Sequence, residues 1–163
     1  MYMRAAVITV SDSGYRGERE DLSGPAIVSM LEEAGYEVVS TILLPDEEKM
    51  LADEMARIAD EGIADLILTT GGTGFSLRDR TPEATKSVVE RDVPGIPEAM
   101  RNYSMQFTNR AMLSRAAAGI RRQTLIVNMP GSPKAVRECL EFILPALDHG
   151  LGILLGRDTN CAR

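Results

Sequence analysis

The chain has 163 residues, 44% of them hydrophobic, and its 18 basic and 24 acidic side chains give a formal net charge of −6. This length is typical of one domain, predicted over residues 1–163, whose core needs no disulfide or metal for stability. The negative charge argues against general binding to nucleic acid, which usually requires a broad basic face. An anionic small molecule remains compatible where positive groups are concentrated locally or metal ions bridge it to carboxylates.

The cysteines and the apolar runs indicate neither export nor membrane insertion. Cys139 and Cys161 lack CxxC or other metal-ligand spacing, which favours free thiols in a reducing compartment. No apolar run reaches the roughly 18 residues of a membrane span, and the first residues lack a secretory pattern. We therefore expect a cytoplasmic protein with no membrane and no nucleic acid among its partners.

The first 70 residues alternate between apolar runs and amphipathic segments. Three apolar runs are predicted to be strands: residues 5–10, 36–44 and 64–70. Two amphipathic segments between them are predicted to be helices: residues 23–35 and 46–62. Ser23 is the candidate N-cap of the first helix and Asp46 stands at the start of the second, while Gly35 and Gly62 end them. The third strand is too continuously apolar to have a solvated face.

The alternation continues in the second half of the chain. The predicted elements are a helix, a helical segment with an irregular interruption, a strand that ends in a turn, and two further helices: residues 81–90, 94–119, 123–132, 133–144 and 145–156. Thr81 is the candidate N-cap of the first of these helices, with Pro82 in its first turn, and Pro145 separates the last two. Strand–helix alternation with short loops predicts an α/β fold, a three-layer α/β/α domain with a mainly parallel sheet.

The chemically informative residues follow the predicted strands. In parallel sheets, ligands bind at the carboxyl ends of the strands. The four strands run into segments that carry glycine, hydroxyl groups or carboxylates: "TVSDSG", "LLPDEE", "TTGGTGFSLRD" and "NMPGSP". One crevice could therefore receive all four.

Residues 71–74, "GGTG", place three glycines directly after the third predicted strand. The segment is not a P-loop, because no Gly-Lys-Ser/Thr follows, and it is not a dinucleotide fingerprint, because Leu77 stands where glycine or alanine is required. What remains is a backbone that a ligand can approach closely and whose N–H groups can face an anion. A tight strand-to-helix turn and a phosphate-binding loop are both open interpretations.

Asp46 and Asp79 are the candidate metal ligands. A carboxylate at a helix start is usually a cap, so Asp46 alone would be interpreted as one. Asp79 lies between Arg78 and Arg80 in a loop rich in glycine. Two carboxylates at neighbouring strand ends suit a hard cation such as Mg²⁺, which takes one or two carboxylates together with phosphate oxygens.

Two further segments could contact an anion. Residues 128–133 offer an amide, a glycine turn and Ser132 near a helix start, where backbone N–H groups can hold a phosphate, although an ordinary capped turn is equally consistent. The densest positive cluster of the chain consists of three arginines: Arg115, Arg121 and Arg122. Solvated surface is the default for each arginine, but Ser114 with Arg115 could face an anionic ligand.

Six segments carry a more specific signal than any single motif. They follow one another over nearly the whole chain: "VITVSDSGYRGEREDLSGP", "LLPDEE", "LILTTGGTGFSLRDRTPEAT", "GIPEAMR", "MLSRAAAGI" and "NMPGSPKAVRECLEFILPAL". In this order they resemble the MogA/MoaB family of molybdenum-cofactor proteins, to which the G domain of gephyrin also belongs. The combination of "TTGGTG" with "RDRTPEAT" is the most specific part. Arg80 is a departure, since the family pattern usually has an apolar residue there.

The resemblance implies a molybdopterin-binding α/β fold, a homotrimer and ATP-dependent adenylylation of molybdopterin. The acidic pair of the family matches Asp46 and Asp79, which would hold Mg²⁺ and act in catalysis. The pterin- and nucleotide-contacting positions of the family match ten residues: Ser11, Gly71, Gly72, Thr73, Gly74, Ser114, Asn128, Pro130, Gly131 and Ser132. A protein that inserts molybdenum downstream is a further implied partner.

The implied reaction brings several anions together. The molybdopterin phosphate would attack the α-phosphorus of ATP and release pyrophosphate, while the glycines and the "NMPGS" turn position phosphate oxygens. Catalysis would consist mostly of placement and electrostatics. A molybdopterin-binding protein or scaffold without catalysis is the alternative, against which the presence of both aspartates argues. A nicotinamide-dependent oxidoreductase, suggested by the α/β pattern alone, is disfavoured by Leu77.

Overall fold

The structure of the protein, a computed structural model, describes residues 2–158 and contains a six-stranded sheet. The strands are β1 Arg4–Val10, β2 Glu37–Leu44, β3 Leu66–Thr70, β4 Arg91–Asp92, β5 Ala118–Arg121 and β6 Thr124–Met129. They lie in the order β2-β1-β3-β6-β5-β4. The first four strands in that order are parallel, whereas β5 runs antiparallel to β6 and β4 antiparallel to β5.

Helices cover both faces of this sheet. Within the described residues they are α1 Asp12–Tyr15, α2 Ser23–Glu33, α3 Glu48–Asp60, α4 Thr81–Val88, α5 Gly95–Ser104, a 3₁₀ helix Asn109–Leu113, and α6 Pro133–Leu154. On one face Ile27 of α2, Met100 of α5 and Leu140 of α6 share a buried cluster with the strands. On the other face Met55 of α3 and Ala84 of α4 belong to a second cluster. The predicted three-layer arrangement with a mainly parallel sheet is confirmed.

Strand β3 is buried along its whole length because both of its faces are covered. Leu66 and Leu68 belong to the cluster under α2, α5 and α6, whereas Ile67, between them, belongs to the cluster under α3 and α4. Successive side chains of a strand point to opposite faces of the sheet. The continuous apolar run in the sequence therefore reflects two apolar layers, as predicted.

The antiparallel edge of the sheet differs from the sequence-based expectation. A helical segment over residues 94–119 is correct for α5 and the 3₁₀ helix but wrong at its end, where Ala118 begins β5. A hairpin through Arg122, with φ at 51°, returns β5 to β6. Gly119 allows a close approach, since a Cβ there would lie 2.7 Å from Val89 and 2.8 Å from the carbonyl oxygen of Arg91. Pairing between strands outweighs the helical propensity of this alanine-rich stretch.

Helix α6 is continuous through Pro145, so the predicted division into two helices is wrong. Proline removes one backbone donor and crowds the preceding turn, at a cost of about 3 kcal/mol inside a helix. Buried side chains continue on both sides of it, with Leu140 and Ile143 before and Leu147 and Leu151 after. Packing of this apolar stripe outweighs the local cost of the proline.

Two further expectations concern the membrane and the thiols. Across residues 2–158, no helix combines the length and the apolarity that a bilayer crossing requires. Cys139 is a free, buried thiol on α6, and burial raises its pKa. Cys161 lies outside the described residues.

Candidate functional site

The carboxyl ends of β1, β3 and β6 meet closely at one edge of the sheet. A Cβ on Gly71 would lie 2.3 Å from the carbonyl oxygen of Val10, and a Cβ on Gly131 would lie 3.5 Å from the Cα of Gly71. The Thr70 hydroxyl donates to the carbonyl oxygen of Pro130 at 2.6 Å. With a φ of 102°, Gly71 also adopts a conformation that side chains disfavour. Glycine is therefore required where the strands converge.

Residues 71–74, the glycine loop, bring backbone against two carboxylates. A Cβ on Gly72, whose φ is 71°, would lie 2.2 Å from Thr81 Oγ1 and 3.2 Å from Asp46 Oδ1. A Cβ on Gly74 would lie 3.0 Å from Asp79 Oδ2. Side chains are thus absent where Asp46 and Asp79 approach the main chain.

Asp46 does not cap α3, contrary to the simplest interpretation of its position. The helix begins at Glu48 after the N-cap Glu47, whose side chain makes no capping bond. Asp46 instead exchanges two hydrogen bonds with Asp12. The Asp46 N–H donates to Asp12 Oδ1 at 2.9 Å, and the Asp12 N–H donates to Asp46 Oδ2 at 3.0 Å. The other oxygen of Asp46 is left beside Gly72.

Asp79 closes a tight turn after the glycine loop. Its N–H donates to the carbonyl oxygen of Ser76 at 2.9 Å, and its Oδ2 accepts from the Ser76 N–H at 3.0 Å. The neighbouring Arg78 donates to both carboxylate oxygens of Asp12 at 3.0 Å and to Glu47 at 2.9 Å. Arg78 therefore fastens the turn that carries Asp79 to the residue that holds Asp46.

The ionisation of Asp46 is influenced by the carboxylates around it. Burial raises the pKa of Asp46 above its usual value, and the negative charges of Asp12 and Asp79 add to the rise, while the Asp12 N–H and the charge of Arg78 oppose it. Hydrogen bonds from Arg78 and then from the Asp46 N–H hold the pKa of Asp12 below its usual range. A cation between such carboxylates would relieve their repulsion.

The donor set fits a divalent cation shared with a phosphate ligand. No group of three or more histidine, cysteine or carboxylate side chains within residues 2–158 is arranged to hold a metal ion. Mg²⁺ needs only one or two carboxylates when phosphate oxygens and water fill its other positions. Asp46 and Asp79 supply two carboxylates. Beside Gly72, the buried hydroxyl of Thr81 has no hydrogen-bond partner among the described residues.

Two predicted N-caps are displaced by one residue. The N-cap of α2 is Leu22, not Ser23. The N-cap of α4 is Arg80, not Thr81. The Ser23 hydroxyl instead donates to the carbonyl oxygen of Gly131 at 2.6 Å, and the Thr81 hydroxyl lies against the glycine loop. Both hydroxyls therefore contact the strand-end turns and not their own helix ends.

Two cavities border the glycine loop. The first has a volume of about 380 Å³ and is lined in part by four predicted contact residues: Ser11, Gly71, Gly131 and Ser132. The second has a volume of about 250 Å³ and is lined in part by four others: Thr73, Gly74, Ser114 and Pro130. Asp46 and Asp79 line neither cavity. Asp46 lies beside Gly72, and Asp79 lies beside Gly74.

Asn128 lies away from both cavities, contrary to the expectation of a direct ligand contact. The residue is completely buried. Its Nδ2 donates to the hydroxyls of Thr69 and Thr85 at 3.0 and 2.8 Å. Its Oδ1 accepts from the Ala117 N–H at 3.0 Å. The amide therefore joins β3, α4 and the segment before β5, and it is fully used inside the protein.

The three clustered arginines separate in the structure. Arg121 and Arg122 both pair with Asp60, at 2.8 and 2.9 Å, at the end of β5 that lies away from the site. Arg115 lies against the glycine loop, but its guanidinium pairs with Glu83 and is therefore already engaged within the protein. The positive cluster in the sequence is thus not one binding surface.

The sequence did not predict the role of Asp12, because its partners are distant along the chain. Asp12 bonds Asp46, 34 residues away, and Arg78, 66 residues away. The one available signal was that Asp12 directly follows Ser11 at a predicted strand end.

Arg80, which departs from the family pattern, pairs with Glu48 at 3.0 Å. Its charge is thus balanced by a carboxylate of α3.

The sequence is similar to a described protein family and to named enzymes. Residues 6–149 match the family described as "Probable molybdopterin binding domain". Molybdopterin adenylyltransferase of Helicobacter pylori strain J99 is 43% identical over 157 residues, which are 92% of this chain and 86% of that protein. The Escherichia coli K12 protein of the same name is 40% identical over 147 residues, 88% of this chain and 75% of that protein.

A solved structure shares the fold over nearly its whole length. The molybdopterin biosynthesis enzyme MoaB of Thermus thermophilus has a TM-score of 0.89 to this chain at 48% identity. The superposition covers 94% of this chain and 97% of that chain. The stretch that the family matches contains the glycine loop, Asp46 and Asp79.

Proposed function

The chain belongs to the molybdopterin-binding domain family, and from this premise we propose that it is a molybdopterin adenylyltransferase. The enzyme transfers AMP from ATP to the terminal phosphate of molybdopterin. A phosphate oxygen of molybdopterin forms a bond to the α-phosphorus of ATP, and the bond from that phosphorus to the bridging oxygen breaks, so that pyrophosphate leaves. No covalent intermediate on the protein is needed.

One observation carries this assignment beyond the names of relatives. Asp46 and Asp79 approach the same glycine loop, at Gly72 and Gly74, from different parts of the chain. The charge of Asp79 contributes to the raised pKa of Asp46, after burial and together with Asp12. Paired carboxylates at a close-packed backbone turn support a site where phosphate groups are held through a cation.

The protein's own contribution is binding and orientation. We assign ligand contact to the cavity-lining residues of the loop and turn: Ser11, Gly71, Thr73, Gly74, Ser114, Pro130, Gly131 and Ser132. Gly72 allows the loop backbone to approach Asp46 closely. Ser132 caps the 22-residue helix α6, whose N-terminal end favours an anion through its backbone dipoles. Asn128 acts from the core by holding these segments together.

Asp46 and Asp79 are the proposed ligands of Mg²⁺. When bound, the cation supplies neutralisation of charge on the phosphate groups. Asp12 orients Asp46 through their reciprocal hydrogen bonds. The carboxylates must be ionised to hold the cation that neutralises the phosphate charge. Mutation of either aspartate to its amide should therefore reduce the rate more than it reduces the affinity for molybdopterin.

We further propose residues 1–163 as one domain that assembles as a homotrimer and passes its product to a molybdenum-inserting protein. The trimer rests on the family resemblance. Sedimentation equilibrium of the purified chain, of 17.7 kDa, tests it directly. A species of three times that mass is expected, and a monomer would contradict the assembly without affecting the proposed chemistry.

Asp79→Asn is the first test of the mechanism. Asparagine retains an acceptor for the Ser76 N–H and so preserves the turn, but it lacks the negative charge. We expect kcat for adenylyl-molybdopterin formation to fall by about 10²–10³-fold, while molybdopterin affinity changes little. The measurement is pyrophosphate release with purified molybdopterin, ATP and Mg²⁺, with molybdopterin binding followed in parallel.

Asp53→Asn is the matched control, because Asp53 is exposed on α3 and pairs across one turn with Lys49 in a bond of 2.7 Å. It should retain wild-type turnover. Unchanged turnover in Asp79→Asn would contradict the role of Asp79. A wild-type protein that binds molybdopterin but releases no pyrophosphate would instead support the binding-only alternative.

A further inference from the structure

Arg115 binds three backbone carbonyl oxygens, two in the glycine loop and one at Asp79. Its backbone N–H donates to the carbonyl oxygen of Thr73 at 2.9 Å. Its Nε donates to that of Gly74 at 2.8 Å, and its Nη2 donates to that of Asp79 at 2.7 Å. Since Gly74 lies two residues before the turn of Ser76 to Asp79, and Asp79 is its last residue, one guanidinium holds the backbone on both sides of the turn.

The remaining guanidinium nitrogen is anchored on α4. Nη1 of Arg115 pairs with the carboxylate of Glu83. Burial opposes ionisation of Glu83, but hydrogen bonds from Arg115 and the backbone, with the charges of Arg115 and Arg80, outweigh it and hold the pKa of Glu83 below its usual value. Glu83 is therefore charged at neutral pH and holds the guanidinium from α4.

The segment that carries Arg115 is itself held in place. Arg101 of α5 donates from Nη1 to the carbonyl oxygens of Ser114 and Ala116, at 3.3 and 3.0 Å. These two residues flank Arg115. The planar guanidinium of Arg115 presents its donors at fixed angles. Glu83 of α4 and Arg101 of α5 thus determine the position of Arg115, and the turn takes its position from Arg115.

We propose that Arg115 is a positioning residue, which fixes the turn of Asp79 and thereby the Asp79 carboxylate beside Gly74. The catalytic consequence rests on the proposed function. Glycine-rich backbone has many accessible conformations, and small displacements of a group that acts at the reaction centre reduce the rate strongly. A carbonyl oxygen facing a phosphate would also repel it, and Arg115 draws three such oxygens toward itself.

The test compares Arg115→Met with Arg115→Lys. Methionine keeps an aliphatic stem without donors, whereas lysine keeps the charge and can pair with Glu83 but cannot span Gly74 and Asp79 together. We expect kcat for adenylyl transfer to fall about tenfold or more in both variants, with each KM changed less than about threefold. A role of charge alone predicts a raised KM in Arg115→Met that lysine restores, and that result would overturn the proposal.

Amide hydrogen exchange measures, without substrate, how firmly Arg115 holds the turn of Asp79. The amides of Ser76 and Asp79 donate within the turn, and both should exchange about tenfold faster in Arg115→Met. Arg121→Met is the matched control, because Arg121 also binds a carboxylate and a carbonyl oxygen but lies at the far end of β5. Equal acceleration in the control, or none in Arg115→Met, contradicts the positioning role.

The two measurements separate this inference from the proposed function. If the wild-type protein transfers no AMP while exchange at the turn accelerates in Arg115→Met only, the proposed function fails and the positioning role stands. If the wild-type protein is active while Arg115→Met keeps both its kcat and its slow exchange, the proposed function stands and the positioning role fails.

Discussion

Thr81 and Thr85 lie one turn apart on α4 and are both fully buried, yet their hydroxyls differ. Thr85 Oγ1 accepts a hydrogen bond from Asn128 at 2.8 Å and donates to the sulfur of Met55 at 3.6 Å. Thr81 Oγ1 has no partner among the described residues and lies against Gly72. Because burying a polar group without a hydrogen bond lowers stability, loss of the oxygen should affect the two positions differently.

We expect Thr85→Val to lower the free energy of unfolding by about 1–3 kcal/mol, since one of the two N–H donors of the buried Asn128 amide then lacks an acceptor. Thr81→Val has nearly the same shape change but loses no hydrogen bond, so its free energy of unfolding should change by less than about 0.5 kcal/mol or increase. Urea unfolding of the two variants beside the wild type measures both values. Equal losses would show that the Thr81 hydroxyl has a partner in solution.

The glycine loop shows how far residue-level prediction reaches. Three glycines in four positions predict a backbone that can be approached closely, and Cβ atoms at Gly71 and Gly72 would lie 2.3 and 2.2 Å from neighbouring oxygens. The approach of Asp46 and Asp79 to one loop agrees with their predicted pairing, while their catalytic role stays a prediction. The contacts of Asp12 could not be predicted, because only the folded chain brings it to partners 34 and 66 residues away.

Helix α6 contains two prolines in contrasting positions. Pro133 is its first residue, where the missing N–H would have no acceptor within the helix. Pro145 lies in the interior, where one helical hydrogen bond is lost and the ring crowds the preceding turn. Pro145 is exposed, so its replacement removes little buried surface. The cost of the proline is therefore local to the backbone.

Pro145→Ala is expected to stabilise the protein. Removing a cost of about 3 kcal/mol, less about 0.4–1 kcal/mol for the more flexible unfolded chain, should raise the free energy of unfolding by about 2–2.6 kcal/mol. For a chain of this size, each kcal/mol corresponds to roughly 2–4 °C in Tm. Pro133→Ala is the control and should not raise Tm. A lower Tm for Pro145→Ala would mean that tertiary packing depends on the proline.

Helices and strands could be predicted where hydrophobic periodicity is strong. The prediction failed where pairing with a distant segment determines the local structure. The apolar runs of β1, β3 and β6 and the amphipathic faces of α2 and α3 lie within their own sequence windows. The four residues of β5 form a strand because they pair with β6, and the two residues of β4 because they pair with β5. Continuity of α6 depends on an apolar stripe that packs against the sheet, which outweighs the local signal of Pro145.

At the scale of the whole molecule, alternation of strands and helices was sufficient to predict three layers and a parallel centre. That topology places the carboxyl ends of β1, β2, β3 and β6 at one edge. Residues as distant as Ser11 and Ser132 therefore line the same cavity. The direction of β5 follows from the hairpin at Arg122, which has no glycine to mark it, and β4 in turn pairs antiparallel with β5.

Tyr36 connects distant parts of the molecule through one buried hydroxyl. It directly precedes β2, is only 6% exposed, and donates its phenolic hydrogen to Asp148 near the end of α6. Burial foremost, and then the hydrogen bond and the charge of Asp148, raise the pKa of Tyr36 well above its usual value. The folded protein therefore retains this proton at a pH where the unfolded chain releases it.

This difference predicts the alkaline limit of stability. Tyrosine in an unfolded chain titrates near pH 10, so above that pH the unfolded state binds fewer protons and the free energy of unfolding falls as pH rises. One such group contributes a slope of up to about 1.4 kcal/mol per pH unit. Tyr36→Phe should reduce the slope between pH 10 and 11, as measured by urea unfolding at several pH values. Tyr15→Phe, at an exposed tyrosine, is the control for removal of a phenol. If both substitutions reduce the slope equally, or neither does, the alkaline loss of stability arises outside the Tyr36–Asp148 contact.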